Sequence, residues 1–134
     1  MRAIFAFASV LAAIVVSGSA RADPILECRV LVGEDLAVED CLRTQLDISY
    51  RAMSEAQDLA RGTARQLDER SGTEAVVLGL EASQHAWEAY RDVECQTIAL
   101  LGDSRAAEAT QLACEIRLTR ARTDDMLRFA RHGG

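Results

Sequence analysis

Lysine does not occur in this chain; all 15 of its cationic side chains are arginine. Proline occurs once, at Pro24, so nothing downstream of it forbids long helices. Aromatic residues make up 4% of the chain, and Trp87 is the single tryptophan. Positive charge is also scarce, with 15 bases set against 21 acids for a net charge of −6. Proteins that grip nucleic acid carry a basic footprint, and this balance excludes nucleic acid as a partner. Alternation of apolar and polar residues over a useful length is missing too, which removes half-buried strands from the reading.

The motifs of common chemistries are absent in the same way. There is no C-x-x-C pair, so a zinc ribbon, a thioredoxin-type redox centre and a c-type haem site all lack their ligands or thiols. No H-E-x-x-H occurs, no glycine-rich phosphate loop, and no nucleophile elbow around the few serines. Carboxylates abound, but no two stand out as a glycosidase dyad. His85 lies at helical spacing from Glu81 and Glu88 and reads as part of an exposed charged cluster rather than as a catalytic base. No enzyme, cofactor or metal is expected.

What is present begins with an export signal. Met1-Arg2 forms a short positive start, Ala3 to Val16 is an uncharged apolar run, and Ser17-Gly18-Ser19 breaks it. Ala20-Arg21-Ala22 then supplies an A-x-A cleavage site before Asp23. The run is 14 residues long, whereas a membrane-spanning helix needs about 20. Cleavage is expected after Ala22, with Ala20 as the alternative. Lipidation is not expected, because Cys28 follows Glu27 rather than a small residue. Residues 1–22 thus read as a signal peptide and 23–134 as a single helical domain, periplasmic or secreted and free of the membrane. Loss of the two leader arginines takes the net charge from −6 to −8, which speeds encounter with a basic protein partner and also serves solubility.

Four cysteines, Cys28, Cys41, Cys95 and Cys114, form an even set in an oxidising compartment, so two disulfides are the default. Three connectivities are possible, and the helical pattern discriminates among them. Residues 23–33 read as an extended entry segment punctuated by Pro24 and Gly33. A first long helix is expected from Glu34 to about Arg70, with Leu42, Leu46, Tyr50, Met53, Ala56, Ala60, Ala64 and Leu67 recurring at steps of three or four. Gly62 within it costs about 1 kcal/mol and suggests a bend or a close contact. Ser71 and Glu74 fit a capping box for a second helix running from about Thr73 to Leu100. Its inner side carries Val77, Leu80, Gln84, Trp87, Arg91, Cys95 and Ile98. A break at Leu101–Ser104, with Asp103 as N-cap, opens a third helix with Ala107, Gln111, Cys114, Leu118, Ala121 and Asp125 on one face, widened by Leu112, Ile116, Met126 and Phe129. Residues 132–134 are expected to fray.

The reading is therefore all-α: a three-helix antiparallel bundle with long helices and two disulfides. Cys95 and Cys114 are equidistant from the turn near 103–104, so an antiparallel hairpin places them opposite each other. That symmetry selects Cys95–Cys114 and leaves Cys28–Cys41. Each bridge closes a loop worth about 3 kcal/mol in the chain-entropy reckoning. The same register sets Trp87 opposite Arg122, where a cation–π contact is worth about 0.5–2 kcal/mol, and Arg91 opposite Leu118. At this spacing Trp87 reads as a core anchor. Arg91 shares its stripe and is expected to tie the helices together. Arg91 and Asp92, being adjacent, are expected to pair with different neighbours.

The run Gln84-His85-Ala86-Trp87-Glu88-Ala89-Tyr90-Arg91-Asp92-Val93-Glu94-Cys95 resembles the signature Q-x-x-W-x-x-[aromatic]-R-D-x-x-C. Downstream, Cys114 followed by Leu118, Thr119, Arg122, Thr123 and Leu127 is similar to the companion C-x-x-x-L-T-x-x-R-T. Cys28…Cys41 with Leu42, Leu46, Asp47 and Tyr50 resembles the opening of the same family, the lysozyme inhibitor LprI-like N-terminal domain. The resemblance runs from Cys28 to Leu127. It implies a secreted or periplasmic helical domain with two disulfides, and lysozyme inhibition in some members. Gln84, Trp87, Tyr90, Arg91, Asp92, Leu118, Thr119 and Arg122 are its motif residues in this chain, with structural roles. It carries over no inhibitory loop. An inhibitor acting by protein–protein binding on a basic lysozyme is one functional reading, with the turn and flank at 99–110, and in it the loop Gly102, Asp103, Ser104 and Arg105, as contact. A structural or accessory envelope protein bound to another periplasmic partner is the alternative.

Overall fold

The computed structural model describes residues 23–33 and 35–132. The expected signal peptide at 1–22 with its cleavage point, and residues 133–134, for which fraying is expected, lie outside the described residues. All regular structure among those described is helical: α1 (Pro24–Val32), α2 (Asp35–Ser71), α3 (Ala75–Leu100) and α4 (Ala107–His132). The three long helices run up, down and up, and α2 shares its largest interface with α4 rather than with its chain neighbour α3.

Four helices form where three were expected, because the entry segment is itself helical. Asp23 caps α1 by accepting the Ile25 N–H at 3.0 Å. Pro24 stands in the first turn, where its missing N–H costs nothing. Gly33 closes the helix with φ of 82°, its N–H bonded to the Arg29 carbonyl at 3.0 Å. A nine-residue helix is marginal alone, and tertiary ties hold this one. Cys28 is bonded to Cys41 on α2. Both Glu27 oxygens accept from one Arg120 nitrogen at 3.0 Å, while the other nitrogen reaches the Gln45 side-chain oxygen at 3.1 Å. Arg120 thereby joins α1, α2 and α4.

The α2 stripe lies inward along its length: Leu42, Met53, Ala56, Ala60 and Ala64 are buried. Gly62 lies within a continuous α2 and answers to no close neighbour, since a Cβ built there meets nothing within 4 Å. Two clusters make the core. One gathers Cys28, Val38, Leu42, Ala113 and Ile116 at the disulfide end; the other gathers Ala56, Ala60 and Met126 at the far end. The α4 face is rotated from its expected position. Ala113, Ile116, Thr119 and Met126 are its buried centre, and Asp125 is exposed and paired with Arg128. The rotation follows from the large α2 interface, which the pairing of Cys114 with α3 did not reveal.

The α2–α3 turn is capped differently from expectation. Ser71 and Glu74 form no capping box, and Glu74 makes no side-chain cap bond. Gly72 turns the chain with φ of 69°, and the carboxylate of Asp68, still in α2, crosses the turn. It accepts the N–H groups of Val76 and Val77 at 3.0 and 2.9 Å and the Thr73 hydroxyl at 3.1 Å. Burial of Asp68 works to raise its pKa, but the three donors outweigh it and hold the carboxyl below its ordinary value. Asp103 likewise caps the short turn at 103–106 rather than α4 itself, accepting from Arg105 N–H at 3.0 Å.

Candidate partner-binding site

The motif residues of α3 divide into an inward clasp and an outward face. Gln84 and Cys95 are buried, and the Arg91 side chain is largely covered. The Arg91 guanidinium stacks on two rings, 5.1 Å from the Tyr50 centroid and 5.2 Å from Trp87. Arg122 of α4 approaches the same indole at 5.9 Å, as the hairpin register requires. Arg122 also donates to the Gln84 side-chain oxygen at 3.1 Å and to the Ser83 hydroxyl at 2.9 Å. Gln84 in turn donates to Glu88 at 3.0 Å. On the α2 side, the Tyr50 hydroxyl donates to Glu115 at 3.4 Å, and Gln111 holds the other Glu115 oxygen at 3.0 Å.

These contacts make one network across three helices, and its electrostatics follow from its half-buried position. Burial pushes the Tyr50 phenol up, with the Glu115 carboxylate adding and the Arg91 charge opposing. Burial lowers the Arg122 pKa against the pull of Asp125 and Glu88; a guanidinium so placed stays charged. Trp87 is half-buried rather than fully enclosed, sandwiched by cations as much as by apolar groups. Arg91 and Asp92 do pair with each other, contrary to expectation: two Arg91 nitrogens reach one Asp92 oxygen at 2.9 and 2.6 Å. The helical argument concerns Cβ directions, and the long arginine stem, laid flat to reach Tyr50 and Trp87, brings its head back beside its neighbour. Leu118 is partly buried and Thr119 fully so, with the Thr119 carbonyl accepting from the Thr123 hydroxyl at 2.9 Å. Tyr90 and Asp92 are the exceptions among the motif residues, each being about half-exposed.

The α3–α4 turn is held from below. Cys95 and Cys114 are bonded with their Cα atoms 5.5 Å apart, and Arg43 of α2 pairs with Glu108 at the start of α4. Gly102, Asp103, Ser104 and Arg105 are all exposed above this base. The two residues that precede them fall inside the flank at 99–110 that the sequence offered, but their prominence was not read from it. Leu100 and Leu101 are 85% and 82% exposed, more than any other large apolar side chain described. The signal was the doublet itself, two leucines placed at the break of a helix where no helix face remains to bury both.

Among the described residues, no group of three histidine, cysteine or carboxylate side chains gathers as a metal site, and no helix is long and apolar enough to cross a membrane. His85 is exposed beside Glu88 at 3.8 Å. Fold and site together define a disulfide-stapled helical domain with a polar network across α2, α3 and α4 and an exposed apolar turn between α3 and α4. The sequence profile of the family described as lysozyme inhibitor LprI matches residues 32–126, and the chain belongs to that family. The match begins after Cys28, within the last residue of α1. Comparison with curated proteins and with solved structures finds no match. Family and disulfides together mark an extracytoplasmic protein whose family role is inhibition rather than catalysis.

Proposed function

We propose that the protein is a lysozyme-inhibitor-like protein that acts outside the cytoplasm by binding a basic lysozyme. Export through a signal peptide at residues 1–22, with cleavage after Ala22, delivers residues 23–134 as one domain. The observation that carries the reading is membership of the lysozyme inhibitor LprI family over residues 32–126. The net charge of −6, or −8 without the leader, suits a basic target. The turn Gly102–Arg105 is the proposed contact. It is exposed, and the Cys95–Cys114 bridge beneath it reduces the freedom lost on binding.

The test is a titration of the oxidised protein against a basic c-type lysozyme in a cell-wall turbidity assay. Saturable loss of lysis near one-to-one stoichiometry is expected, and it should disappear on reduction. No effect at large molar excess, repeated with g-type and i-type enzymes, would sink the inhibitor reading. An accessory envelope role, with another periplasmic partner, would then take its place.

A further inference from the structure

We propose that the docking surface for the basic lysozyme is the outer face of α3, continuous with Leu100 and Leu101, rather than the 102–105 turn alone. This inference rests on the inhibitor reading above and names the surface that would carry it. On α3, the residues pointing away from α2 and α4 recur at steps of three or four: Ala82, Ala86, Ala89, Val93, Thr97 and Leu100. All are exposed and none is charged. Tyr90, Val93, Leu100 and Leu101 are exposed by half or more, giving four large apolar side chains on one side of one helix end. A soluble helix ordinarily turns charge to the water here, and an apolar band left uncovered marks a surface that meets another protein.

The occupant follows from the charge around the band. From Ser71 to Arg105 the chain holds six acids, Glu74, Glu81, Glu88, Asp92, Glu94 and Asp103, against Arg105 in the turn, which lies 3.8 Å from Asp103, and one cation on α3 itself, Arg91. That cation is withdrawn: its side chain is 12% exposed, stacked between Tyr50 and Trp87 and paired with Asp92. Glu81, Glu88 and Asp92 flank the band on one side and Glu94 on the other, as their helical spacing requires. An apolar strip rimmed by carboxylates complements a cationic protein and repels a second copy of this acidic chain. A second exposed apolar ridge, Leu26, Val30 and Leu31 on α1, is flanked by Asp23 and by Glu27, which is paired with Arg120, and its adjoining cleft of about 470 Å³ sets Arg29 and Arg105 beside Glu39 and Asp103, so its charges are mixed. Its local charge does not single out a basic partner.

The experiment measures calorimetric affinity and lysis inhibition with the oxidised protein and a basic c-type lysozyme. It compares wild type, a Val93→Arg/Leu101→Arg variant, Glu94→Arg and, as a control surface, Leu26→Arg/Val30→Arg. Loss of two apolar contacts together with like-charge repulsion is expected to weaken binding about 100-fold or more in the Val93/Leu101 variant. Glu94→Arg should slow association, with a reduced dependence on salt. The α1 control should bind as wild type does. Of the five altered positions Val93, Leu101, Leu26 and Val30 are exposed and Glu94 is partly so, and unchanged thermal melting establishes that each variant is folded. Wild-type binding retained within threefold by the Val93/Leu101 variant overturns the surface while leaving the inhibitor reading intact. Loss of binding in the α1 control alone does the same. A wild-type dimer in sedimentation that Val93→Arg/Leu101→Arg dissociates assigns the face to a second copy and also overturns it. Failure of the wild type to bind any basic lysozyme overturns the inhibitor reading itself.

Discussion

The two ends of the bundle are held by different means. At the turn between α3 and α4, both disulfides, the Glu27–Arg120–Gln45 bridge and a cluster built on Leu42 and Ile116 converge. At the other end the cluster is Ala56, Ala60 and Met126, and no cysteine is present. There the helices are joined by the Asp68 cap and by single hydrogen bonds such as Thr63 to the Ala130 carbonyl at 3.2 Å. Small side chains let helix axes approach closely but bury little area each, so the alanine end gains less from the hydrophobic effect. Covalent restraint is thus concentrated at the end that carries Leu100 and Leu101, while the far cluster is completed by the partly buried Leu80, Leu127 and Phe129. The opposite end depends on backbone capping.

The comparison can be broken most directly by reduction. Opening both bridges removes about 6 kcal/mol on the chain-entropy reckoning, a large part of the stability of a domain this size. Circular dichroism under reductant should show a mostly unfolded chain near physiological temperature, and a melting curve unaltered by reductant would refute the contrast. Next in size, Leu42→Ala at the stapled end should cost about 2–5 kcal/mol, as large-to-small changes in a closed core do. Denaturant titration of the oxidised protein measures it.

Arg122→Ala tests the clasp between the ends. It removes a cation from Trp87 and leaves the buried Gln84 oxygen without its donor, for a cost of about 1–3 kcal/mol. Trp87 emission should shift to the red at the same time, since the indole loses its cover. Gly62→Ala should move the other way, raising stability by up to about 1 kcal/mol, because the position is helical and a Cβ there meets nothing.

Asp68→Asn sharpens the account of the far end. The folded carboxyl titrates below its ordinary value of 3.8. Its stabilising contribution is therefore complete above that pH and is lost as pH falls through the folded value. The variant should melt a few degrees lower at neutral pH and should lose less stability than wild type as the medium is acidified below 3.8. Equal acid sensitivity in the two proteins would show that the cap is not what the acid attacks.

The three long helices were legible because α2 carries a sustained 3.6-residue pattern and glycine-containing breaks separate it from its successors. The hairpin disulfide was legible from its symmetry about the turn. The short helix α1 was not, although Asp23-Pro24 at its start and Gly33 at its end are ordinary boundary signals. Its apolar residues spread around the cylinder, with Leu26, Val30 and Leu31 left outside, so no face announced itself. What folds it is a disulfide and Arg120, which is 93 residues from Glu27 in sequence. Asp68 was invisible for a related reason: its acceptors' partners lie eight and nine residues downstream, across a turn, beyond the spacing of any local capping motif. At the site, periodicity placed Trp87, Arg91 and Arg122 on facing sides. The flat course of the arginine stem, which decides that Arg91 stacks on Tyr50 and still reaches Asp92, depends on atoms that spacing does not describe.

Both disulfides join each cysteine to the next one along the chain, Cys28 to Cys41 and Cys95 to Cys114. For a polypeptide threaded N-terminus first into an oxidising space, order of arrival and native pairing coincide. An oxidase that links cysteines as they appear would close Cys28–Cys41 before Cys95 has emerged, and no wrong partner would be on hand. Maturation along that route requires oxidising equivalents but no shuffling of mispaired bonds.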